Sequence, residues 1–162
     1  MKAVVQRVRD ASVSVDGVIS GSIAGGLLVY LGVAKGDAQG DAEKLAEKIA
    51  YLRIFEDGEG KMNLSIKDLV SDAAAKGTPG GMGVLAVSQF TLLADARKGR
   101  RPYYGNAAEP VEAKNLYEYF MQKIQDHGLV CEAGVFQAHM EVCYVNDGPV
   151  TILLDSKEIF TG

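Results

Sequence analysis

Cysteine is scarce: the 162 residues contain two, Cys131 and Cys143, with no CxxC pair. That excludes a disulfide framework and a cysteine-built zinc site, and both thiols are read as core residues in a reducing cytoplasm. Histidine is as rare, with only His127 and His139, which is too few for a His-rich metal centre. No metal and no cofactor is expected. Long apolar runs are missing too: no stretch of about eighteen uninterrupted apolar residues occurs. The opening MKAVVQRVRD breaks its apolar residues with charge at once, so neither export nor membrane insertion is expected. An excess of positive charge is also absent. The formal net charge is -4, so no global field draws in nucleic acid, and any RNA contact must be local. The glycine pairs Gly25-Gly26 and Gly80-Gly81 fit neither a P-loop nor a dinucleotide fingerprint.

What is present suffices for one packed domain over residues 1–162, since 48% of the residues are hydrophobic. Alternation in residues 4–15, followed by Asp16-Gly17 ahead of Val18, predicts an opening β-hairpin. The run GLLVYLGV over residues 26–33 suits a strand buried on both faces. From Asp41 the period turns helical, with Leu45, Ile49 and Leu52 on one stripe and Asp41 placed to cap the start. Residues 71–82, SDAAAKGTPGGM, lack apolar periodicity and read as a surface loop. Residues 84–90 return to β character. Residues 110–125 form a second amphipathic helix with Pro110 in its first turn, stopped at Gly128. Residues 130–135, 140–145 and 150–154 read as three closing strands. Hairpin-like succession with only two helices argues for an α+β fold: a mainly antiparallel β-sandwich or barrel-like sheet with two flanking helices.

Three segments carry candidate chemistry. NDGPVT, residues 146–151, has the composition of a turn, yet its Gly148-Pro149 bond is one where a cis peptide costs only about 0.5–1 kcal/mol. In cis, that bond would set two carbonyls side by side as a rigid acceptor for an amine. SQFTL, residues 88–92, ends a buried strand and gathers Ser88, Gln89 and Thr91 around Phe90; it is either a half-exposed strand end or a catalytic segment. A side-chain nucleophile there has little support, because the chain shows no Ser/His/acid order and no GxSxG elbow. The third segment packs Arg97, Lys98, Arg100 and Arg101 ahead of Pro102-Tyr103-Tyr104. It is a solvated loop or a local phosphate-binding knot with aromatics beside it.

Together with Gln6-Arg7-Val8, Arg53-Ile54-Phe55 and Gly60-Lys61-Met62-Asn63, these segments resemble the D-aminoacyl-tRNA deacylase family over nearly the whole chain. The resemblance implies hydrolysis of the ester of D-aminoacyl-tRNA, or of glycine mischarged on tRNA(Ala), with L-aminoacyl-tRNA rejected. It implies a homodimer in which the Gly148-Pro149 pair, in cis, reaches into the partner's site beside its SQFTL segment and binds the substrate's α-amino group. Ser88, Gln89, Phe90 and Thr91 then form the catalytic segment, with water as attacking group, assistance from the terminal 2'-hydroxyl, and Thr91 as a minor candidate nucleophile. Arg7 becomes a latch for the Gly-Pro segment, Met62 a substrate contact, and Arg97, Lys98, Arg100 and Arg101 contacts to tRNA. Phe136 and His139 lie in a segment similar to one near the family's pocket but are set aside from the catalytic group. Rival readings are a paralogous deacylase for a small L-amino acid with a trans Gly-Pro bond, a serine or threonine esterase, and a nucleic-acid-binding module.

Overall fold

The structure is a computed structural model that describes residues 1–78 and 80–159. Its first strand, β1 (Lys2–Val15), is also its organising one. The predicted Asp16-Gly17 turn forms, with φ of 50° and 78°, and leads into β2 (Val18–Ile23). The chain then enters β3 (Gly25–Gly32), which is buried along almost its whole length, as its continuous apolar run required. On one side β1 pairs with β3 through Lys2–Val8 and with β2 through Ala11–Val15; on the other it pairs with β8 (Glu141–Asp155).

The remaining strands attach in parallel. β6 (Met82–Ser88) runs parallel to β3, and β7 (Cys131–Ala133) runs parallel to β6. The antiparallel expectation therefore holds for β1, β2, β3 and β8, while the β3–β6–β7 half is parallel. Parallel neighbours need crossovers, and the helices provide them. α1 (Gln39–Ala50) and α2 (Ile66–Ala75) lie between β3 and β6, and α3 (Pro110–Asp126) lies between β6 and β7. β4 (Phe55–Glu56) and β5 (Met62–Leu64) form a separate two-stranded ribbon. At Gly26, with φ of 118°, an added Cβ would lie 2.1 Å from the Gly83 carbonyl oxygen, so the β3–β6 approach tolerates no side chain there.

Two local expectations are corrected and a third is refined. Residues 71–82 are not all loop, because α2 runs through Ala75. Its apolar stripe, Ile66, Leu69, Val70 and Ala73, falls mostly before residue 71, so the 71–82 window holds only the helix's small polar end; Ile66 is buried, Leu69 and Val70 pack against the core, and the reciprocal Ser65–Asp68 cap starts the helix. Asp41 caps the start of α1 as expected, its Oδ2 accepting the Ala38 N–H at 2.9 Å, but it does so from within the first turn, because the helix begins at Gln39. Residues 140–145 and 150–154 are one strand, β8, which continues through NDGPVT.

The sheet has a core on each face. Leu27, Val29, Leu31, Val84 and Ala86 pack against Leu45 and Ile49 of α1 and Phe120 and Ile124 of α3. Val8, Val13, Leu28, Leu85 and Val87 form the second core, against which Tyr30, Met140 and Val142 pack. Sheet curvature over this second core gives the barrel-like form expected of the α+β class. The thiols depart from expectation: Cys131 is half-buried, and Cys143 is exposed on β8. Among the described residues no helix is long and apolar enough to cross a membrane.

Candidate active site

The parallel pair β3–β6 ends at Leu31 and Ser88, and a cavity of about 430 Å³ opens beyond those carboxyl ends. The local cause is a change in backbone direction. Gln89 N–H still donates to the Leu31 carbonyl at 2.8 Å, which is the last rung of the ladder. The chain then tightens into a 3-10 turn over Phe90–Leu93. Helical first turns leave their N–H groups without internal partners. Among the described residues, no protein acceptor takes the N–H of Phe90 or Thr91.

Ser88, Gln89 and Phe90 form one wall of this cavity, with Leu31 and Val87 behind them. Thr91 stands outside the lining, and its Oγ1 accepts a hydrogen bond from Gln89 Nε2 at 2.5 Å. Among the described residues no hydrogen bond joins Ser88 or Thr91 to a histidine or a carboxylate. Residues 136–140 build the facing wall, including Phe136 and His139, which sequence reasoning had set aside. Gln137 in that wall holds a φ of 64°, an uncommon value for a residue with a Cβ. Ala113 and Tyr117 of α3 also line the cavity, and Tyr117 donates to the Ala86 carbonyl at 2.8 Å. Burial raises the Tyr117 hydroxyl well above its ordinary range, so it stays a neutral donor.

Gly148 and Pro149 are elsewhere. Between the pairs Val8–Asn146 and Gln6–Thr151, β8 advances five residues while β1 advances two. The surplus bulges outward and exposes both Gly148 and Pro149, whose peptide bond is cis. Asn146 Nδ2 ties off the neck, donating to the Arg7 carbonyl at 3.0 Å and the Val150 carbonyl at 3.1 Å. Arg7 is buried beneath the bulge. Its Nε contacts the Asp147 carbonyl oxygen at 3.3 Å and Oδ2 at 3.2 Å, and Nη1 donates to the Ile54 carbonyl at 2.6 Å. The bulge is thus braced from below but does not line its own chain's cavity. Met62 also lies outside that cavity, 60% exposed on β5.

Beside the cavity mouth, Phe90 meets Tyr104 edge-on at 5.1 Å between ring centroids. The loop carrying Arg97, Lys98, Arg100 and Arg101 leads directly into Tyr103 and Tyr104 and is fully exposed. Arg97 is held by Asp95, and its hydrogen bonds keep the Asp95 carboxyl well below the usual carboxylate range.

The family model for D-Tyr-tRNA(Tyr) deacylase matches residues 4–155. The chain belongs to this family. A relative from Koribacter versatilis, named D-aminoacyl-tRNA deacylase, is 60% identical over 160 residues, covering 99% of this chain and 100% of the relative. A relative of the same name from Fervidobacterium nodosum is 52% identical with the same coverage. Among solved structures, the chain is similar to a c-Myc DNA unwinding element binding protein, with a TM-score of 0.83 and 38% identity, covering 96% of this chain and 98% of that one. A probable eukaryotic D-amino acid tRNA deacylase shares the fold at a TM-score of 0.74 and 15% identity, with 94% and 97% covered. The deacylase family fold is thus the α+β arrangement described above.

Proposed function

We propose that the chain hydrolyses the ester of D-aminoacyl-tRNA to free D-amino acid and tRNA in a cavity completed by the Gly148-Pro149 bulge of a second copy. D-aminoacyl-tRNA deacylation, an ester hydrolysis, is the activity that accompanies membership of this family at 52–60% full-length identity. The trans arrangement rests on one observation: the bulge is exposed, braced by Arg7 and Asn146, and absent from the lining of its own chain's cavity. The free edge of β8 supports a second copy. Among the described residues it is a long strand whose one partner is β1, and it exposes Tyr144, Val145 and Leu153, the last at 76%. Unpaired apolar edges of this kind are ordinarily covered.

In this reading the main-chain oxygens of Gly148 and Pro149 accept the substrate's α-amino group. A D side chain or a hydrogen then points to open space, whereas an L side chain runs into the bulge, which is selection by exclusion. Glycine passes the same test, so glycine mischarged on tRNA(Ala) is also a substrate. The free N–H groups of Phe90 and Thr91 meet the tetrahedral oxyanion, a role worth about 2.7–4 kcal/mol per donor in hydrolases. Among the described residues no base is hydrogen-bonded to Ser88 or Thr91, which favours water as the attacking group, assisted by the terminal ribose 2'-hydroxyl, over a protein nucleophile. Gln89 and the Ser88 hydroxyl orient the ester, and the Thr91 hydroxyl, outside the lining, acts by holding Gln89.

Mixed dimers test the trans arrangement. Ser88→Phe fills the cavity, and Gly148→Val drives a side chain toward Val150 and Arg7, where even a Cβ has neighbours at 2.9 and 3.1 Å. Each variant alone is expected to be inactive on D-tyrosyl-tRNA. A doubly tagged mixed dimer regains one intact site and about half the wild-type rate; a mixed dimer as inactive as its parents contradicts the proposal.

A further inference from the structure

The four cations of the basic loop are not equivalent. Asp95 engages Arg97 with both oxygens: Nε lies 2.9 Å from Oδ1 and Nη2 lies 2.5 Å from Oδ2. Oδ1 also accepts the Arg97 backbone N–H at 3.0 Å. Two-pronged arginine–carboxylate pairs fix orientation as well as charge. The backbone of Asp95 is pinned in turn, exchanging N–H···O bonds of 2.8 and 2.9 Å with Tyr103. Residues 96–102 are therefore a loop with a closed base, turned in its middle by Gly99 at a φ of 71°. Lys98, Arg100 and Arg101 project from it, and among the described residues none of the three has an ion-pair partner. The closing residue Tyr103 is followed by Tyr104, whose ring rests on Phe90 at the cavity mouth.

We propose that Arg97 is the brace of a phosphate-binding loop and contacts no phosphate itself, while Lys98, Arg100 and Arg101 bind backbone phosphates of the RNA whose 3' end enters the cavity. The identity of that RNA rests on the deacylase reading above. The assignment follows from charge accounting at the loop base. A phosphate that displaced Asp95 would strand a bare carboxylate facing a polyanion, and one at the remaining Nη1 would meet a pair with no net charge and a carboxylate beside it, so phosphate is drawn to the free cations instead. Intact, the Arg97–Asp95 pair presents no net charge and holds the three free cations in one arrangement. Arg97 is thus a positioning residue, and the loop's net contribution to phosphate neutralisation is three charges.

Counterion release separates a brace from a contact, because each phosphate neutralised contributes about -0.9 to the slope of log affinity against log salt. The probe is uncharged tRNA binding to the full chain across a salt series, alongside thermal melting to verify folding. Lys98→Ala, Arg100→Ala and Arg101→Ala are each expected to reduce the slope by about 0.9. The charge-neutral double variant Asp95→Asn, Arg97→Gln is expected to keep the wild-type slope while binding several-fold more weakly, because the loop loses its closed shape and no phosphate contact. A loss of about 0.9 in the double variant would make Arg97 a direct contact and overturn the assignment. Unchanged slopes in all three single variants would overturn the phosphate-binding role of the loop. Failure of the deacylase reading shows separately, as absence of hydrolysis of D-aminoacyl-tRNA by the wild type.

Discussion

Arg7 grips Asp147 at two points, its Nε lying 3.3 Å from the backbone carbonyl oxygen and 3.2 Å from carboxylate Oδ2. The same guanidinium reaches Ile54 through Nη1, so one buried side chain joins β1, the bulge of β8 and the approach to β4. Arg7→Ala leaves the Ile54 carbonyl without its donor, at a cost of about 1–3 kcal/mol. The larger effect is expected on function, since the bulge loses its support: kcat/KM on D-tyrosyl-tRNA falls by more than tenfold. Arg7→Lys should restore little of it, because a single ammonium cannot serve both Asp147 and Ile54. Steady-state kinetics and thermal melting measure the two effects.

Ser88 and Thr91 offer the sharpest test of mechanism. With no base hydrogen-bonded to either hydroxyl among the described residues, the double variant Ser88→Ala, Thr91→Ala is expected to retain deacylation within about 100-fold of wild type. Removal of a true serine nucleophile in a triad hydrolase costs on the order of 10⁶ in kcat. A loss of that size in single-turnover measurements would restore the esterase mechanism.

Stability depends on a buried polar cluster outside the cavity lining. The Met1 ammonium lies 2.8 Å from Asp37 Oδ2, with both groups fully buried, and donates to Ser156 Oγ at 2.6 Å; Ser156 Oγ donates to Asp41 Oδ1 at 2.8 Å. Asp37→Asn breaks a buried ion pair, a change that costs about 3–5 kcal/mol, and it is expected to lower Tm by roughly 10 °C.

Asp41 adds a pH dependence. Its burial, which favours the neutral acid, is outweighed by hydrogen bonds from Ala38, Lys157 and Ser156, and its pKa is lowered to about 2. A carboxylate with a depressed folded-state pKa contributes stability above its unfolded pKa and loses it as pH falls through the folded one. The stability difference between wild type and Asp41→Asn is therefore expected to be full at pH 6 and to shrink between about pH 4 and pH 2. Urea denaturation across that range measures it.

The sequence made the hairpin at Asp16-Gly17, the buried strand β3 and the helix begun by Pro110 legible, because each depends on local chemistry: a turn dipeptide, a continuous apolar run, a proline in a first turn. Pairing partners are not local, and so the parallel junctions of β6 with β3 and β7 were hidden. NDGPVT misled for a related reason. Turn residues within a strand can form a bulge as well as a reversal, and only the offset between β1 and β8 distinguishes the two. In the site, the clustering of Ser88, Gln89 and Phe90 was legible as a motif. Phe136 and His139 were not separable from ordinary core and surface positions, because the wall they build forms only when the segment between β7 and β8 folds over the carboxyl ends of β3 and β6. Arg97 looked like its cationic neighbours until Asp95 was found beside it.

Selection by hand, at a cavity without a protein nucleophile, is the proposed basis of the activity. It is tested most directly by hydrolysis of matched D-tyrosyl-tRNA and L-tyrosyl-tRNA by the purified protein, with a chelator-treated control. The predicted result is cleavage of the D form at least about 100-fold faster than the L form, equivalent to roughly 2.7 kcal/mol of discrimination in the transition state. Equal cleavage of both forms, or cleavage of neither, would contradict it.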